Sequence, residues 1–314
     1  MGFPGGRIVS SLLYVFVIGG GLFFVLAFFA GLVFYLHPLA ANRFFERRAL
    51  KRAGSLQARL ISVSTGNLTL WEAGGGPAVL LLHGAGDHAG TWSKIVPHLK
   101  GKYRVLIPDL PGHGGSEPLQ GELDIEMMFT AVNELLDMVS PGEPVTIVGN
   151  SLGAWVAMLV ADRQPEKTNR LILVNGGAIR GDYKGPGLIP RNLDEARQLM
   201  SVLMGEKGEK VPDFVLKDLI RESQSGPLMR LMANPSKMGA SLLDGKLGGI
   251  HQPVDLLWGG LDQMFDLSYA KRLADELPEA RIAVLENCGH VPQRQCPAAF
   301  TAALLKILEN FSGD

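Results

Sequence analysis

Residues 144–154, Pro-Val-Thr-Ile-Val-Gly-Asn-Ser-Leu-Gly-Ala, constrain this chain more than any other stretch. Val145, Ile147 and Val148 form a short β-branched run of the kind that fills a parallel strand buried on both faces. Gly149-Asn150-Ser151-Leu152-Gly153 follows at once, and Ala154 to Val160 then reads as an apolar helix with Pro165 shortly beyond it. Strand, G-x-S-x-G and helix in that order is the layout of a nucleophile elbow. The turn is tight enough to hold the serine in a strained backbone conformation, and the two glycines lack the Cβ atoms that would collide there. The serine hydroxyl then points out of the sheet, and the Leu152 N–H lies at a helix N-terminus, where developing negative charge is stabilised. In a chain with 39 glycines the bare pentapeptide is equally an ordinary loop with a surface serine. Its position between a buried strand and a helix makes the signal specific.

Length and charge bound the remaining choices. The 314 residues carry a net charge of -1, so no basic face invites nucleic acid. Beyond an N-terminal hydrophobic segment the length suits one large α/β domain with an insertion. Cys288 and Cys296 are too few for a disulfide framework, although one bond between them stays open. No residue spacing suggests a metal or a cofactor, and none is expected.

Ile8 to Leu36 contains no charged side chain. At ~1.5 Å per residue it can cross a ~30 Å hydrocarbon core with some tilt, which predicts a retained anchor. A cleavable signal peptide would have an apolar core of only ~7–15 residues. Gly19-Gly20-Gly21 would weaken a helix in water but is tolerated in lipid. Arg7 precedes the segment, whereas Arg43, Arg47, Arg48, Lys51 and Arg52 follow it against Glu46 alone. The positive-inside rule therefore places the C-terminal domain in the cytoplasm, with the basic cluster read as a solvated juxtamembrane helix, as drawn to anionic headgroups, or as both together. Asn67-Leu68-Thr69 is a glycosylation sequon that points the other way, and Gly66-Asn67 also reads as a plain hairpin turn.

From Ala58 the pattern is globular. Ala58–Ser64 and Asn67–Glu72 predict a hairpin, and Ala78–Leu82 a buried strand ending in His83-Gly84-Ala85-Gly86. A glycine-containing loop there can supply a second N–H to an oxyanion, with Ala85 as the candidate donor. His83 reads as a packed, hydrogen-bonded imidazole shaping that loop. Thr91–Lys100 predicts a helix and Arg104–Leu110 a strand that closes in Asp109-Leu110-Pro111-Gly112-His113, where Asp109 can bond nearby backbone N–H groups. Asp124 is placed to cap a helix running to about Ser140. After a strand at Leu171–Val174 the alternation stops. Asn192-Leu193-Asp194-Glu195 opens a helix as a capping box, and Val211–Ser225 and Pro227–Ala233 also look helical. Met200, Met204, Met229, Met232 and Met238 there suit ordinary packing, with an apolar pocket roof as the second reading. Strands return at Pro253–Gly260 and Arg281–Leu285, helices at Ser268–Leu277 and Pro297–Phe311.

Ser151, Asp262 and His290 each follow a predicted strand, in the order serine, acid, histidine. Serine is a weak nucleophile at neutral pH and needs an adjacent base; the base needs an acid to fix its tautomer. Singly, His290 is a loop histidine and Asp262 a helix cap. Asp266 is the reserve acid.

Five segments carry a resemblance to the α/β-hydrolase superfamily from Ala58 to the C-terminus. They are His83-Gly84 with Gly86, Asp109 to Ser116, Gly149 to Gly153, Trp258-Gly259-Gly260-Leu261-Asp262, and Cys288-Gly289-His290-Val291-Pro292. The resemblance implies a mostly parallel eight-stranded sheet with helices on both faces, a helical cap, the triad Ser151, Asp262 and His290, and an oxyanion hole at Leu152 and Ala85. A serine at 151 departs from the dehalogenases and epoxide hydrolases of that superfamily, which carry aspartate there. Gln295 stands where many relatives carry glutamate. The implied organisation is an anchor over 8–36, a basic linker over 37–57, core over 58–177, cap over 178–251 and core again over 252–314.

An anchor, a basic linker and a capped hydrolase also resemble the membrane-anchored monoacylglycerol lipases and related esterases. That likeness implies hydrolysis of lipid-like monoesters at the bilayer. Two rival readings stand beside it. Gly149-Asn150-Ser151-Leu152-Gly153 also occurs in carbon–carbon hydrolases of the meta-cleavage type, which commonly carry tryptophan after the histidine, where this chain has Val291. A non-enzymatic membrane scaffold on the same fold usually lacks a triad member, and this chain lacks none.

Overall fold

The computed structural model describes residues 23–24, 26–54, 57–205, 208 and 210–310. Eight strands among them form a single sheet in the order β1-β2-β4-β3-β5-β6-β7-β8. A hairpin, β1 (Gln57–Val63) with β2 (Gly66–Ala73), adds to it antiparallel; β3 (Ala78–Leu82), β4 (Arg104–Pro108), β5 (Val145–Asn150), β6 (Thr168–Val174), β7 (Val254–Gly259) and β8 (Ala280–Leu285) pair parallel.

The apolar runs explain the layers. Successive side chains of a strand point to opposite faces, so a run with no polar interruption must be covered twice. Leu80, Leu82, Ile147, Leu171 and Leu173 enter one core; Val79, Leu81, Val148, Ile172 and Val174 enter the other. Helix α1 (Pro38–Gly54) contributes Leu50 to the second core, beside Trp92 and Phe300. Helices α2 (Ile125–Val139) and α3 (Leu152–Arg163) cover the first. Asp124 caps α2 by accepting the Met127 N–H at 2.8 Å, as its position predicts. α3 is buried on nearly every side, which its uniformly apolar sequence requires.

Between β6 and β7 lie α4 (Leu193–Met204) and α5 (Asp213–Ser223), followed by single turns at Pro227–Met232 and Pro235–Ala240. Asn192 caps α4 through the Glu195 N–H at 2.9 Å. After β7 come α6 (Leu267–Glu276), β8 and α7 (Pro297–Glu309). The chain leaves β3 for β4 on one side and returns to β5 on the other. Loops therefore diverge past the C-terminal ends of β3 and β5, opening the crevice where open α/β sheets hold their sites.

The N-terminal expectation is corrected. Among the described residues no helix is long and apolar enough to cross a membrane. The described apolar part, residues 26–36, spans only ~16 Å at 1.5 Å per residue before Pro38, which lacks an N–H, opens α1. Most of the remaining expected anchor, residues 8–22 and 25, lies outside the described residues. The single-pass anchor, and the cytoplasmic placement drawn from it, therefore do not stand.

The basic cluster also has other partners. Arg43 binds Glu222 of α5 at 2.7 Å, and Arg47 binds the buried Asp109 at 2.8 Å. Asp218 accepts the Leu39 N–H at 2.9 Å, and Tyr35 stacks on Phe214 at 5.2 Å. Arg48, Lys51 and Arg52 face solvent. Thr91–Lys100 is likewise broken into a 3-10 turn, Ala89–Trp92, and one α-turn at Val96–Leu99, where Pro97 cannot extend a hydrogen-bond ladder.

Arg170 of β6 and Asp255 of β7 form a buried ion pair, their side chains 4 % and 9 % exposed. Removing one partner strands a charge, whereas removing both does not. Arg170→Met and Asp255→Leu are each expected to cost about 3–5 kcal/mol, and the double variant to recover most of that loss. Urea midpoints compared at constant slope check this.

Candidate active site

Ser151 joins β5 to α3 with φ 53 and ψ -114, one of two described non-glycine residues with positive φ. Such strain costs of order 1–3 kcal/mol and persists only where the surroundings dictate it. Here they do. A Cβ at Gly149 would lie 2.3 Å from the Gly153 carbonyl oxygen, and one at Gly153 would lie 2.4 Å from that of Leu82. One at Gly176, just past β6, would sit 2.5 Å from the Ser151 Cα. The Ser151 N–H donates to the Val174 carbonyl at 2.9 Å, which ties the corner to β6.

His290 and Asp262 meet. His290 Nδ1 donates to Asp262 Oδ2 at 2.8 Å, both groups being buried. A carboxylate can only accept, so Nδ1 carries a proton, and in the neutral form of the ring the lone pair is then at Nε2. Asp262 Oδ1 takes the N–H groups of Met264 at 2.8 Å and Phe265 at 3.2 Å. Asp266, the reserve acid, points elsewhere: it caps α6 by accepting from Ser268 and Tyr269. No hydrogen bond joins Ser151 Oγ to His290 Nε2 among the described residues, although Asn150 Nδ2 donates to the His290 carbonyl at 3.0 Å. Catalytic contacts are often long in unliganded enzymes and tighten on substrate.

The loop after β3 lies against the serine, since a Cβ on Gly84 would meet the Ser151 Cβ at 3.3 Å. This puts Ala85 in the neighbouring turn, while Leu152 opens α3, where a first-turn N–H has no carbonyl four residues back. His83 shapes that loop, as expected of it. Its Nδ1 donates to Gly84 O at 2.8 Å, its Nε2 accepts from Leu110 N at 2.9 Å, and burial holds its pKa down at about 4. It is neutral at working pH and unsuited to carry a proton.

Further groups brace this frame, of which the sequence did not single out Arg294 and Asn175. Arg294 donates to Thr91 Oγ1 at 2.9 Å and pairs with Asp87 and Glu46, linking the loop that carries His290, the loop after β3 and α1. Burial alone would raise the Asp87 carboxyl, but Arg294, aided by His88 and His83, holds it below its ordinary value. Asn175 donates to Asp262 Oδ2 at 2.7 Å. Gln295 accepts the Gly289 N–H at 2.6 Å and donates to Leu203 O at 3.0 Å, a pair of contacts that suits an amide and that an ionised glutamate could not make. The pairing that the cysteines left open is made: Cys288 and Cys296 form a disulfide, Cα–Cα 6.0 Å, closing the loop that carries His290. No signal in one sequence marks Arg294 or Glu46, whereas a polar residue directly after a strand could have flagged Asn175. Among the described residues no His, Cys, Asp or Glu cluster could hold a metal ion.

A serine on a strained corner and a buried acid–imidazole pair, set at the strand ends of a largely parallel sheet, define a hydrolase of the α/β class. The alpha/beta hydrolase family matches residues 79–304, and the chain belongs to it. Over 268 residues it is 28% identical to a 2-hydroxy-6-oxo-6-phenylhexa-2,4-dienoate hydrolase of Burkholderia cepacia, covering 79% of this chain and 93% of that one. Over 254 residues it is 29% identical to a pimeloyl-[acyl-carrier protein] methyl ester esterase of Aeromonas hydrophila, covering 76% and 97%. The solved structure of a bacterial membrane phospholipase A superposes with a TM-score of 0.73 at 23% identity, covering 98% of this chain and 99% of that one. That last likeness shows the fold.

Two buried imidazoles make stability depend on pH. Burial depresses His83 to about 4 and His113 to about 3, whereas in the unfolded chain both titrate near 6.5. Their contribution is whole above about pH 6.5 and is lost as pH falls toward the folded values. Urea stability between pH 4.5 and 7 should rise with pH, and in His113→Asn the slope should fall by up to one proton relative to the parent.

Proposed function

We propose that this chain is a serine hydrolase that cleaves carboxylic esters with an apolar acyl group through an acyl-Ser151 intermediate. The observation that carries the proposal is the buried Asp262–His290 hydrogen bond of 2.8 Å, whose backbone is tied by Asn150 to the corner holding Ser151. His290 Nε2 takes the Ser151 hydroxyl proton as Oγ attacks the ester carbonyl. The carbonyl oxygen becomes an oxyanion facing the N–H groups of Leu152 and Ala85, and losing one such donor typically costs about 2.7–4 kcal/mol of barrier. The imidazolium, stabilised by Asp262, returns its proton to the departing alkoxide. Water, deprotonated by His290, then attacks the acyl carbon and releases the acid and free Ser151.

Apolar groups around the site favour a hydrocarbon acyl chain. The Phe265 ring lies 5.8 Å from the His290 imidazole, and Leu228 is the neighbour a Cβ on Gly86 would meet, at 4.0 Å. The methyl ester esterase among the similar proteins agrees with ester chemistry.

A carbon–carbon hydrolase is the second reading, favoured by the likeness to the Burkholderia cepacia dienoate hydrolase. Val291 follows His290 where those enzymes commonly carry tryptophan. The two readings separate on substrates: p-nitrophenyl butyrate against a vinylogous 1,5-diketo acid. Ester turnover should dominate, and a fluorophosphonate probe should label the parent but not Ser151→Ala. Asp262→Asn should lower kcat by about 10⁴-fold. A parent that the probe leaves unlabelled would sink the serine mechanism, and faster turnover of the diketo acid would make the second reading the right one.

A further inference from the structure

We infer that Asn175 is a positioning residue for the triad, holding the Asp262 carboxylate in the plane His290 needs; this rests on the triad proposed above. Asn175 follows the last residue of β6, is fully buried, and has φ 46. Only a few per cent of non-glycine residues take such a conformation, and glycine takes it without strain. Gly176 and Gly177 come next, so if the position had only a bend to make, a third glycine would serve better. The side chain must therefore contribute something that offsets the strain.

Both ends of the amide are in use. Its oxygen accepts the Gly259 N–H at 2.9 Å, and its nitrogen donates to Asp262 Oδ2 at 2.7 Å. The orientation is forced, because a backbone N–H can only donate and a carboxylate can only accept. Gly259 ends β7, where the parallel pairing with β6 has already stopped at Val174↔Leu257. The amide thus bridges the two diverging strand ends and presents its N–H to the carboxylate from a fixed frame.

Asp262 consequently has four donors. Oδ1 takes Met264 and Phe265, and Oδ2 takes Asn175 and His290. Without Asn175, Oδ2 would be held by the imidazole alone. The carboxylate could then turn about its Cβ–Cγ bond, and His290 would lose the acceptor that fixes its tautomer. Asn175 has no contact with Ser151 Oγ in this scheme; it acts through Asp262.

Two substitutions separate this role from a purely structural one. Asn175→Gly keeps the left-handed backbone and removes the amide. Asn175→Asp keeps the shape, tolerates the same φ and can still accept from Gly259, but sets an acceptor against Asp262. Each is compared with the parent and with Ser151→Ala for p-nitrophenyl butyrate turnover, fluorophosphonate labelling rate and melting temperature. Asn175→Gly should stay folded and lose roughly 10- to 100-fold in kcat, with KM within a few-fold of the parent. Asn175→Asp should be slower still at neutral pH. Its activity relative to the parent should recover as pH falls and the added carboxyl gains a proton it can donate, whereas the Asn175→Gly ratio stays flat. Should Asn175→Gly fail to fold, the pH-dependent ratio of Asn175→Asp decides alone. Parent-like kcat in the folded variants, or a pH-independent ratio for Asn175→Asp, would overturn the inference. A parent that is itself inert and unlabelled would overturn the triad proposal and this inference together.

Discussion

At Ser151 the backbone turns through a corner with no space for another carbon on its flanks. Gly149, Gly153 and Gly176 each stand where a Cβ would come within about 2.5 Å of a backbone atom. Those contacts press β5, α3, the end of β3 and the end of β6 together. The positive φ of Ser151 follows from that crowding and is the means by which a serine comes to stand outside a buried sheet. The rest of the site is arranged around this point, because the loops after β3, β6, β7 and β8 have one place to converge.

A second layer of the structure is electrostatic. α1 binds the core through Arg47 with Asp109 and through Glu46 with Arg294, and binds α5 through Arg43 with Glu222 and Asp218 with the Leu39 N–H. One helix therefore spans the core and the segment inserted between β6 and β7. Arg294 carries the same connection inward to Asp87 in the loop after β3. Such pairs add little where they are exposed, but Asp109 and Asp218 are almost wholly buried, and α1 adds a donor to each beside the N–H groups of Ala89 and Gly115 on Asp109 and the guanidinium of Arg221 on Asp218. The helix is held by these contacts together with Leu50 in the second core.

How much was legible follows from how local each cause is. The elbow was readable because its strand, glycines and helix are adjacent in the chain and its sterics are local. The helix caps at Asp124 and Asn192 were readable for the same reason. The partners of Arg43 and Arg47 were not legible because arginines spaced along a helix look alike whether they face water, lipid phosphates or carboxylates such as Glu222, 179 residues away. Apolar residues before Pro38 carried the same ambiguity, since hydropathy gives length and polarity but not what covers the surface. Asn175 was passed over because an asparagine before two glycines reads as an ordinary turn. Its partner Asp262 lies 87 residues further on.

The amino-acid sequence by itself determined the alternation of strands and helices, the strained corner at Ser151 and the order of serine, acid and histidine. These depend on neighbours within a few residues, where bond geometry and hydrophobic period act directly. The tertiary structure alone decided which carboxylate faces the imidazole. Asp262 and Asp266 are four residues apart and chemically the same. The first ends among Asn175, His290 and two backbone N–H groups, and the second folds back on the first turn of α6. That difference is created by where β6, β7 and β8 stop relative to one another, and such a distance exists only once the sheet has assembled.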